Sequence, residues 1–213
     1  MKYEYIKRIA DIFLAIGLAI VFLPAGIITA LAIKLETPKG PIFADIPNRV
    51  GKNGKLFRLF KFRSMIPNAH FLLHTDPKLK ALFEEYKKSS FKLYDDPRIT
   101  KVGKIIRKYS IDEVPQLFNV LLGDMSVIGP RPYYKDELEE QQRKYPNTKH
   151  LVKEALSVRP GITGLWQVSG RGEINFDKRV ELDAHYANNL GPWYDLVILL
   201  KTPMVMLSGK GAV

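Results

Sequence analysis

The sequence predicts a mainly helical α+β protein, with a membrane anchor over residues 1–36 followed by one compact domain over residues 37–213. Three observations lead to this expectation. Residues 12–33 form 22 consecutive uncharged positions, and several later segments place apolar residues at helical spacing. Between them, one glycine-bounded turn separates two apolar runs, which predicts a short β-hairpin. The length of 213 residues suits a single domain with an appendage.

The composition limits the classes of partner and of chemistry. The formal net charge is +11 and the isoelectric point is about 9.7, so anions are the favoured partners. Phosphates, acidic lipid headgroups and nucleic acid all meet that description. The absence of cysteine excludes disulfides and thiolate chemistry.

The apolar segment allows three topologies. At 1.5 Å per residue it is about 33 Å long, enough to cross a bilayer, and it is long for a cleaved signal peptide. Pro24, with Gly26 after it, bends a helix near its middle. Basic residues flank both ends, and they are Lys2, Lys7, Arg8, Lys34 and Lys39. These flanks give no clear crossing direction, so the residues alone favour a spanning helix over a re-entrant one without deciding the question.

The segment after the anchor predicts the hairpin. Gly40–Val50 and Leu56–Phe60 flank the turn Gly51–Gly54, in which glycine supplies the backbone freedom that a tight turn needs.

Helices are predicted over most of the remaining chain. They cover Lys78–Lys88, a segment capped by Thr100 and ending near Tyr109, and Asp112–Leu122. The charged run Glu137–Lys144 is typical of a solvated helical face. The apolar tail Leu196–Leu207 is too short to span a bilayer, so we expect it to lie in the membrane interface.

Asp112 and Glu113 are adjacent carboxylates at a helix start, and they have two interpretations. Ser110-x-x-Glu113 matches a capping box, which satisfies free backbone donors. However, Pro115 would then cost an interior hydrogen bond, whereas a later start places it in the first turn and frees the carboxylates. One such carboxylate can attack phosphorus while its neighbour binds Mg²⁺. Both interpretations stay open at this point.

Several arginines are candidates for binding phosphate, with solvated surface charge as the alternative. They are Arg63, Arg98, Arg107, Arg131, Arg159 and Arg171. Neighbouring prolines fix the backbone at Arg131 and Arg159, which lowers the entropy cost of aiming a guanidinium group at phosphate. His70 and His74 have the spacing of a metal pair, but no third ligand accompanies them, and a surface pair is the expectation.

Five ordered motifs resemble those of the bacterial sugar transferase family, monotopic phosphoglycosyl transferases that begin lipid-linked glycan assembly. The motifs are Lys61–Met65, Asp96–Thr100, Ser110–Leu121, Gly123–Pro132 and Arg159–Arg171. They follow one another in order, and the resemblance covers essentially the whole chain. The segment Lys92–Arg98 is similar to that of members that transfer galactose phosphate or glucose phosphate.

The resemblance implies a nucleotide diphosphate-sugar donor, expected to be UDP-linked, and a polyprenyl (undecaprenyl) phosphate acceptor. Asp112 would attack the sugar-bearing phosphate and carry a covalent phosphosugar, and Glu113 would hold Mg²⁺. The implied product starts an exopolysaccharide, capsule, O-antigen or glycoprotein glycan. The remaining substrate-binding residues implied are Lys61, Arg63, Arg98, Arg107, Arg131, Arg159, Gln167 and Arg171.

The same resemblance implies a re-entrant anchor with a helix-break-helix at Pro24. The catalytic domain would then face the cytoplasm at the bacterial inner membrane, in contact with membrane lipid, and a homodimer is compatible with this arrangement. The alternative function is a basic, membrane-tethered binding module without catalysis. Nucleic acid is not expected as a partner, because the sequence contains nothing like a recognition helix or an RNA-binding sheet.

Overall fold

The computed structural model describes residues 2–88, 93, 96–170 and 174–208. The helices are α1 (Lys2–Glu36), α2 (Ala69–Thr75), α3 (Lys80–Lys88), α4 (Lys101–Lys108), α5 (Gln116–Leu122), α6 (Lys135–Lys144), α7 (Lys149–Ala155), α8 (Leu165–Val168), α9 (Phe176–Asn188) and α10 (Pro192–Ser208). The strands are β1 (Arg49–Val50), β2 (Leu56–Phe57), β3 (Ser126–Ile128), β4 (Tyr133–Tyr134) and β5 (Gly161–Thr163). This content confirms the predicted mainly helical α+β class.

The predicted hairpin is present but shorter than its apolar runs. β1 pairs antiparallel with β2, with Val50 opposite Leu56. Asn53 and Gly54 take positive φ angles of 56° and 81° in the turn between them, the conformation in which glycine and asparagine are favoured. β4 adds a third strand on the other side of β1, so residues far along the chain complete this sheet.

A second, parallel pair joins two motifs that are distant in sequence. β3 lies beside β5, with Ser126 opposite Gly161. The backbones approach so closely that a Cβ at Gly161 would collide with the backbone nitrogen of Gly129. Glycine at these positions is therefore a packing requirement, and the contact fixes the backbone that carries Arg131.

The helix predictions hold in part. Thr100 caps α4, since its Oγ1 accepts a hydrogen bond from Gly103 N at 2.9 Å. The helix predicted from Asp112 begins at Gln116 instead, after a separate 3₁₀ turn over Ile111–Glu113. The solvated face predicted for Glu137–Lys144 is wrong for its inner side, because Glu137 and Gln141 are buried there.

α1 lies along the domain and does not project from it. Its buried residues, Asp11, Ala15, Thr29 and Ile33, recur at helical spacing on one face. The outer face exposes apolar side chains, namely Phe13, Ile16, Ile20, Val21, Leu23, Ile27, Ile28 and Leu31. Among the described helices only α1 is long and apolar enough to cross a membrane, and it is consistent with membrane association. The helix continues through Pro24, and a break there is not shown.

Both ends of α1 are bonded to the domain. Near the first end, Asp11 Oδ1 accepts a hydrogen bond from Val127 N at 3.0 Å. At the other end, the Glu36 carboxylate accepts from the backbone nitrogens of Lys101 (2.7 Å) and Val102 (3.1 Å), at the start of α4. Because these partners belong to one domain, both ends of α1 lie against the same body.

The core consists of three groups of buried side chains. The largest joins α1, α5, β3, α9 and α10, and its buried members are Ala15, Phe57, Leu59, Leu117, Val120, Met125, Val127, Ile128, Tyr186 and Ile198. A second group lies between β1, β4, α6, α7 and α9. The third, around Ile33, Phe62 and Ile106, joins the end of α1 to α4. Burial of this apolar surface positions the loops between α4 and β4, where the candidate site lies.

Candidate active site

A cavity of about 290 Å³ opens beside the 3₁₀ turn that carries the acid pair. It collects eight of the ten residues that sequence analysis nominated for catalysis or substrate binding. They are Lys61, Arg63, Arg98, Arg107, Asp112, Glu113, Arg131 and Gln167. The cavity volume is at the lower end of the range for small-molecule sites.

The acid pair sits at the wall of this cavity with a lysine between its carboxylates. Lys61 Nζ lies 2.9 Å from Asp112 Oδ2 and 3.4 Å from Glu113 Oε1. The Asp112 side chain is 3% exposed, whereas that of Glu113 is 29% exposed. The two carboxylates therefore have different environments, one enclosed and one open to the cavity.

The local backbone excludes the capping-box interpretation. Ser110 takes a left-handed conformation with φ of 56°, and its side chain does not cap the turn. Pro115 directly precedes α5, where its missing N–H costs nothing. The phenylalanine at position 62 donates its backbone N–H to the Asp112 carbonyl at 2.9 Å, so the turn is held by the strand segment that also carries Lys61.

Burial raises the pKa of the Asp112 carboxyl above its ordinary value, and the nearby Lys61 charge opposes that shift without cancelling it. For Lys61, burial acts to lower the pKa, but the charges of Asp112 and Glu113 outweigh it and raise the pKa. Lys61 is therefore a fixed cation, and Asp112 is a carboxylate of raised basicity.

Arg63 and Arg98 line the cavity, but protein groups occupy their donors. Arg63 Nη2 donates to Thr37 Oγ1 at 2.6 Å, and Nη1 donates to the Met65 carbonyl at 3.1 Å. Arg98 Nε donates to Asp96 Oδ1 at 2.8 Å within a two-pronged ion pair. These contacts give both arginines a structural function at the edge of the site.

Arg107 and Arg131 are different, because each keeps a buried nitrogen without a hydrogen-bond partner among the described residues. The unpartnered atoms are Arg107 Nη1 and Arg131 Nε. The Arg131 guanidinium lies 5.2 Å from the centre of the Trp166 ring, a cation–π contact that orients it. Buried unpaired donors are costly unless a ligand satisfies them, so these two arginines are the better candidates for binding phosphate.

The structure separates Arg159 from the other candidates. Its motif pairs with the Arg131 motif through β3 and β5, but Arg159 Nε donates to the Gly123 carbonyl at 2.8 Å. Arg159 lines a much smaller pocket of about 20 Å³, beside Lys7 and Asp11. Prolines next to an arginine in the sequence predict a fixed backbone, but they do not determine the direction in which its side chain points. Arg171 lies outside the described residues.

Arg49, Gln116 and Trp166 line the cavity although the sequence did not single them out as candidates. Arg49 is only 8% exposed, with its guanidinium 3.2 Å above the Tyr134 ring centre and Nη1 donating to the Pro132 carbonyl at 3.2 Å. Neither Arg49 nor Gln116 had a local signal of function, although Gln116 follows Asp112 by one helical turn, which could have suggested a shared face.

His70 corrects the expected surface pair. His74 is exposed, but His70 lines the cavity with its ring stacked near Tyr134, the centroids being 6.1 Å apart. Burial lowers the His70 pKa, and the neighbouring His74 adds to this effect. His70 is therefore a mainly neutral part of the cavity wall.

The donors available to a divalent cation are the two carboxylates. The described residues contain no group of three or more His, Cys, Asp or Glu side chains suited to a metal. Mg²⁺, however, is usually bound by one or two carboxylates together with substrate phosphates. The partly exposed Glu113 carboxylate beside Asp112 fits that requirement.

Comparison with known proteins places these features in a family context. Residues 2–209 match the family model described as "Bacterial sugar transferase". The chain is 45% identical over 213 residues to "Undecaprenyl-phosphate galactose phosphotransferase" of Salmonella typhimurium, which covers 98% of the chain and 42% of that protein. It is 47% identical over 214 residues to "Galactosyl transferase CpsE" of Streptococcus agalactiae, covering 99% of the chain and 45% of that protein.

Shorter relatives match over most of their length. "Exopolysaccharide production protein ExoY" of Sinorhizobium fredii is 41% identical over 204 residues, covering 95% of the chain and 86% of that protein. The chain thus spans less than half the length of the Salmonella and Streptococcus relatives and most of the length of the Sinorhizobium protein.

Proposed function

Since the chain belongs to the bacterial sugar transferase family, we propose that it transfers a sugar 1-phosphate from a UDP-sugar to undecaprenyl phosphate. This reaction would start the synthesis of a lipid-linked glycan. The names of several relatives support the substrate classes, because they specify undecaprenyl phosphate, a UDP-sugar or a lipid carrier.

One observation carries the chemical part of the proposal. Asp112 is a buried carboxylate of raised basicity at the wall of a cavity, 2.9 Å from a fixed cation. A more basic carboxylate is a better nucleophile. Within the same cavity, Arg107 and Arg131 keep buried guanidinium nitrogens that have no partner in the described structure. A nucleophile and unpaired cations in one cavity suit the attack of an anion on a phosphate ester.

The proposed first step forms an enzyme-bound phosphosugar. An oxygen of Asp112 attacks the phosphorus that bears the sugar, and a new P–O bond forms. The bond from that phosphorus to the bridging oxygen breaks, and UMP leaves with the electron pair. Lys61 holds the carboxylate in place and lowers the repulsion between it and the diphosphate.

The proposed second step releases the product. A phosphate oxygen of the lipid attacks the same phosphorus, and the bond between phosphorus and Asp112 breaks. The carboxylate is regenerated, and the product is an undecaprenyl diphosphate-sugar. Arg107 and Arg131 are placed to hold phosphate oxygens in both steps, with guanidinium groups that need no reorientation by the substrate.

Glu113 would hold Mg²⁺ in this scheme, beside the nucleophile Asp112. When bound, the ion would supply charge neutralisation for the donor diphosphate. Glu113 suits this role because its side chain is 29% exposed and lines the cavity.

We also propose that both flanks of the anchor lie on the cytoplasmic side of the membrane. Support comes from the two ends of α1, which bond to one domain through Asp11 and Glu36. A helix that crosses the bilayer would place one of these ends on the far side, away from its partners. The exposed apolar face of α1 would then be buried in one leaflet.

Cysteine labelling tests this topology, because the chain has no native cysteine. Two variants, Lys2→Cys and Lys39→Cys, each carry a single cysteine and are labelled in intact cells and after lysis. A membrane-impermeant maleimide should label neither site before lysis and both after it. Labelling of only one site in intact cells would establish a spanning helix and overturn the proposal.

The activity test uses the full chain purified in detergent with UDP-sugars, Mg²⁺ and undecaprenyl phosphate. Release of UMP, together with a lipid-linked sugar phosphate, supports the proposal, and a peptide containing Asp112 should carry a trapped phosphosugar. Absence of UMP release across the donor panel would overturn it in favour of a binding module. UMP release with an unmodified Asp112 peptide would reject only the covalent step.

A further inference from the structure

The active-site cavity contains unpartnered polar atoms of two chemical kinds. The donors are nitrogens of Arg49, Arg107, Arg131 and Trp166, and the amide acceptors are the side-chain carbonyl oxygens Oε1 of Gln116 and Gln167. None of these atoms has a hydrogen-bond partner within the part of the chain that the structure describes. A buried polar atom left unpaired costs free energy, so each kind indicates what a ligand must bring.

Phosphate oxygens can satisfy the arginines but not the glutamines. An ionised phosphodiester or diphosphate offers only acceptors, and an acceptor cannot pair with an amide oxygen. The glutamine oxygens require a donor, and the hydroxyl groups of a sugar are donors. The two kinds of unpartnered atom therefore match a nucleotide-sugar, whose phosphates are acceptors and whose sugar, ribose and base carry donors. The position of each glutamine decides which of these donors it meets.

The position of Gln116 fits the sugar. Gln116 is 3% exposed, begins α5 directly after the turn that carries Asp112, and lines the same cavity as Asp112. In the proposed reaction Asp112 attacks the phosphorus that bears the sugar, which leaves the sugar one bridging oxygen away. A cavity residue that follows Asp112 by four positions is therefore suited to accept from a sugar hydroxyl.

Gln167 is oriented by a contact of its own. Its Nε2 donates to the Ile162 carbonyl at 2.8 Å, which uses a donor of the amide and leaves Oε1 as the unpaired end. Gly164 lies three residues earlier, and a Cβ there would be in ordinary van der Waals contact with Gln167 Oε1, at 3.5 Å. A fixed acceptor of this kind discriminates between hydroxyl positions.

We propose that Gln116 and Gln167 form the sugar subsite of the cavity, in which each Oε1 accepts a hydrogen bond from a hydroxyl group of the donor sugar. The inference rests on the proposed function, since it needs a nucleotide-sugar in the cavity. It assigns Gln116 a role in binding, and it narrows the role of Gln167 from substrate binding in general to the sugar.

Gln141 provides a matched control. It is 2% exposed, and its Oε1 also lacks a partner among the described residues. However, Gln141 is not among the residues that line the cavity. Replacing it tests what the loss of a buried amide does to the fold without touching the site.

The experiment compares Gln116→Met, Gln167→Met and Gln141→Met with the wild-type full chain in detergent. The donor is whichever of UDP-galactose, UDP-glucose and UDP-N-acetylgalactosamine the wild type turns over fastest, together with its monodeoxy analogues. UMP release gives kcat/KM for each combination, and thermal unfolding is measured for every variant. Methionine keeps the side-chain length and removes the acceptor.

We expect each cavity variant to lose about 10- to 100-fold in kcat/KM with the parent donor. For one deoxy analogue, the one that lacks the partner hydroxyl, variant and wild type should have similar kcat/KM values. In the Gln141→Met variant, kcat/KM should change by the same factor with every donor. If a cavity variant reduces turnover of the parent and every deoxy donor equally, Gln116 or Gln167 acts only through the fold and the inference is wrong. If the wild type releases no UMP from any parent donor, the proposed function itself fails.

Discussion

Two buried aspartate–lysine pairs in the described part of the chain, Asp195 with Lys7 and Asp112 with Lys61, differ in how completely they are hydrogen-bonded. Near the start of α1, Asp195 Oδ2 lies 2.7 Å from Lys7 Nζ and also accepts from Tyr3 at 2.7 Å. Its other oxygen accepts from Tyr186 at 2.6 Å. At the cavity, Asp112 lies 2.9 Å from Lys61.

The comparison shows that burial and charge do not by themselves mark a reactive carboxylate. Asp195 has both oxygens bonded to α1 and α9, so its pair holds the anchor to the domain. Asp112 faces a cavity in which Arg107 and Arg131 also keep unpaired nitrogens among the described residues. A pair whose carboxylate oxygens are both hydrogen-bonded contributes to structure. A pair beside a cavity whose carboxylate has hydrogen bonds still to make is available for chemistry.

The largest effect on turnover is expected when Asp112 is replaced, and it distinguishes Asp112 from Asp195. Asp112→Asn keeps the shape of the side chain and removes the nucleophilic charge, so kcat should fall by about 10³-fold or more. Thermal unfolding should change little, because Lys61 keeps Glu113 as a partner at 3.4 Å and its side chain is 22% exposed to water. UMP release and calorimetry measure the two quantities. Retention of most activity by this variant would transfer the nucleophilic role to another group.

The second prediction concerns pH. Burial raises the Asp112 pKa and Lys61 opposes that rise, so activity should fall as pH drops through the raised pKa and the nucleophile is protonated. Lys61→Met removes the opposing charge, which should raise the Asp112 pKa further and move the acid limb of the kcat/KM profile to higher pH. The rate at the plateau should fall about 10²-fold.

Profiles from pH 5 to 9 test this shift, with Lys149→Met as the control, since Lys149 is exposed at the start of α7. An acid limb that stays in place in the Lys61 variant would show that Asp112 does not set it.

A smaller effect is expected at the second carboxylate. Glu113→Gln replaces a charged oxygen ligand by a neutral amide, so the Mg²⁺ concentration for half-maximal activity should rise about 10-fold or more. Titration of UMP release with Mg²⁺ measures this. An unchanged titration with lowered thermal stability would indicate that Glu113 serves only the fold.

The smallest effect on turnover is expected at the fully hydrogen-bonded pair of Lys7 and Asp195. Lys7→Met leaves Asp195 buried without its cation, so the free energy of unfolding should fall by about 2–4 kcal/mol. The activity of folded molecules at low temperature should remain near that of the wild type, since Lys7 lies outside the active-site cavity. A loss of turnover comparable to that of Lys61→Met, without a loss of stability, would remove the distinction between the two pairs.

Much of the fold was predictable because it depends on local interactions. The cap at Thr100, the turn at Asn53 and Gly54 and the apolar anchor are all set by neighbouring residues. The start of α5 was misplaced by four residues, since Ser110 takes a left-handed conformation that propensities do not predict.

The candidate site was predictable as a set of residue types but not as a set of roles. Asp112, Glu113, Lys61, Arg107 and Arg131 meet at one cavity, as the motifs indicated. The motifs did not indicate which arginines are already hydrogen-bonded to other groups of the protein.

The sequence by itself determined the long apolar first helix, the helical class and the acid pair, because apolar runs, periodicity and caps act over a few residues. Only the tertiary structure decided that Arg98 is bonded to Asp96 and Ala69, that Arg159 turns toward Gly123, and that Arg49 and Gln116 enter the cavity. The physical reason is that the role of a polar side chain depends on whether its hydrogen bonds are already made. Most of those partners come from distant parts of the chain, which are brought together only when the core packs.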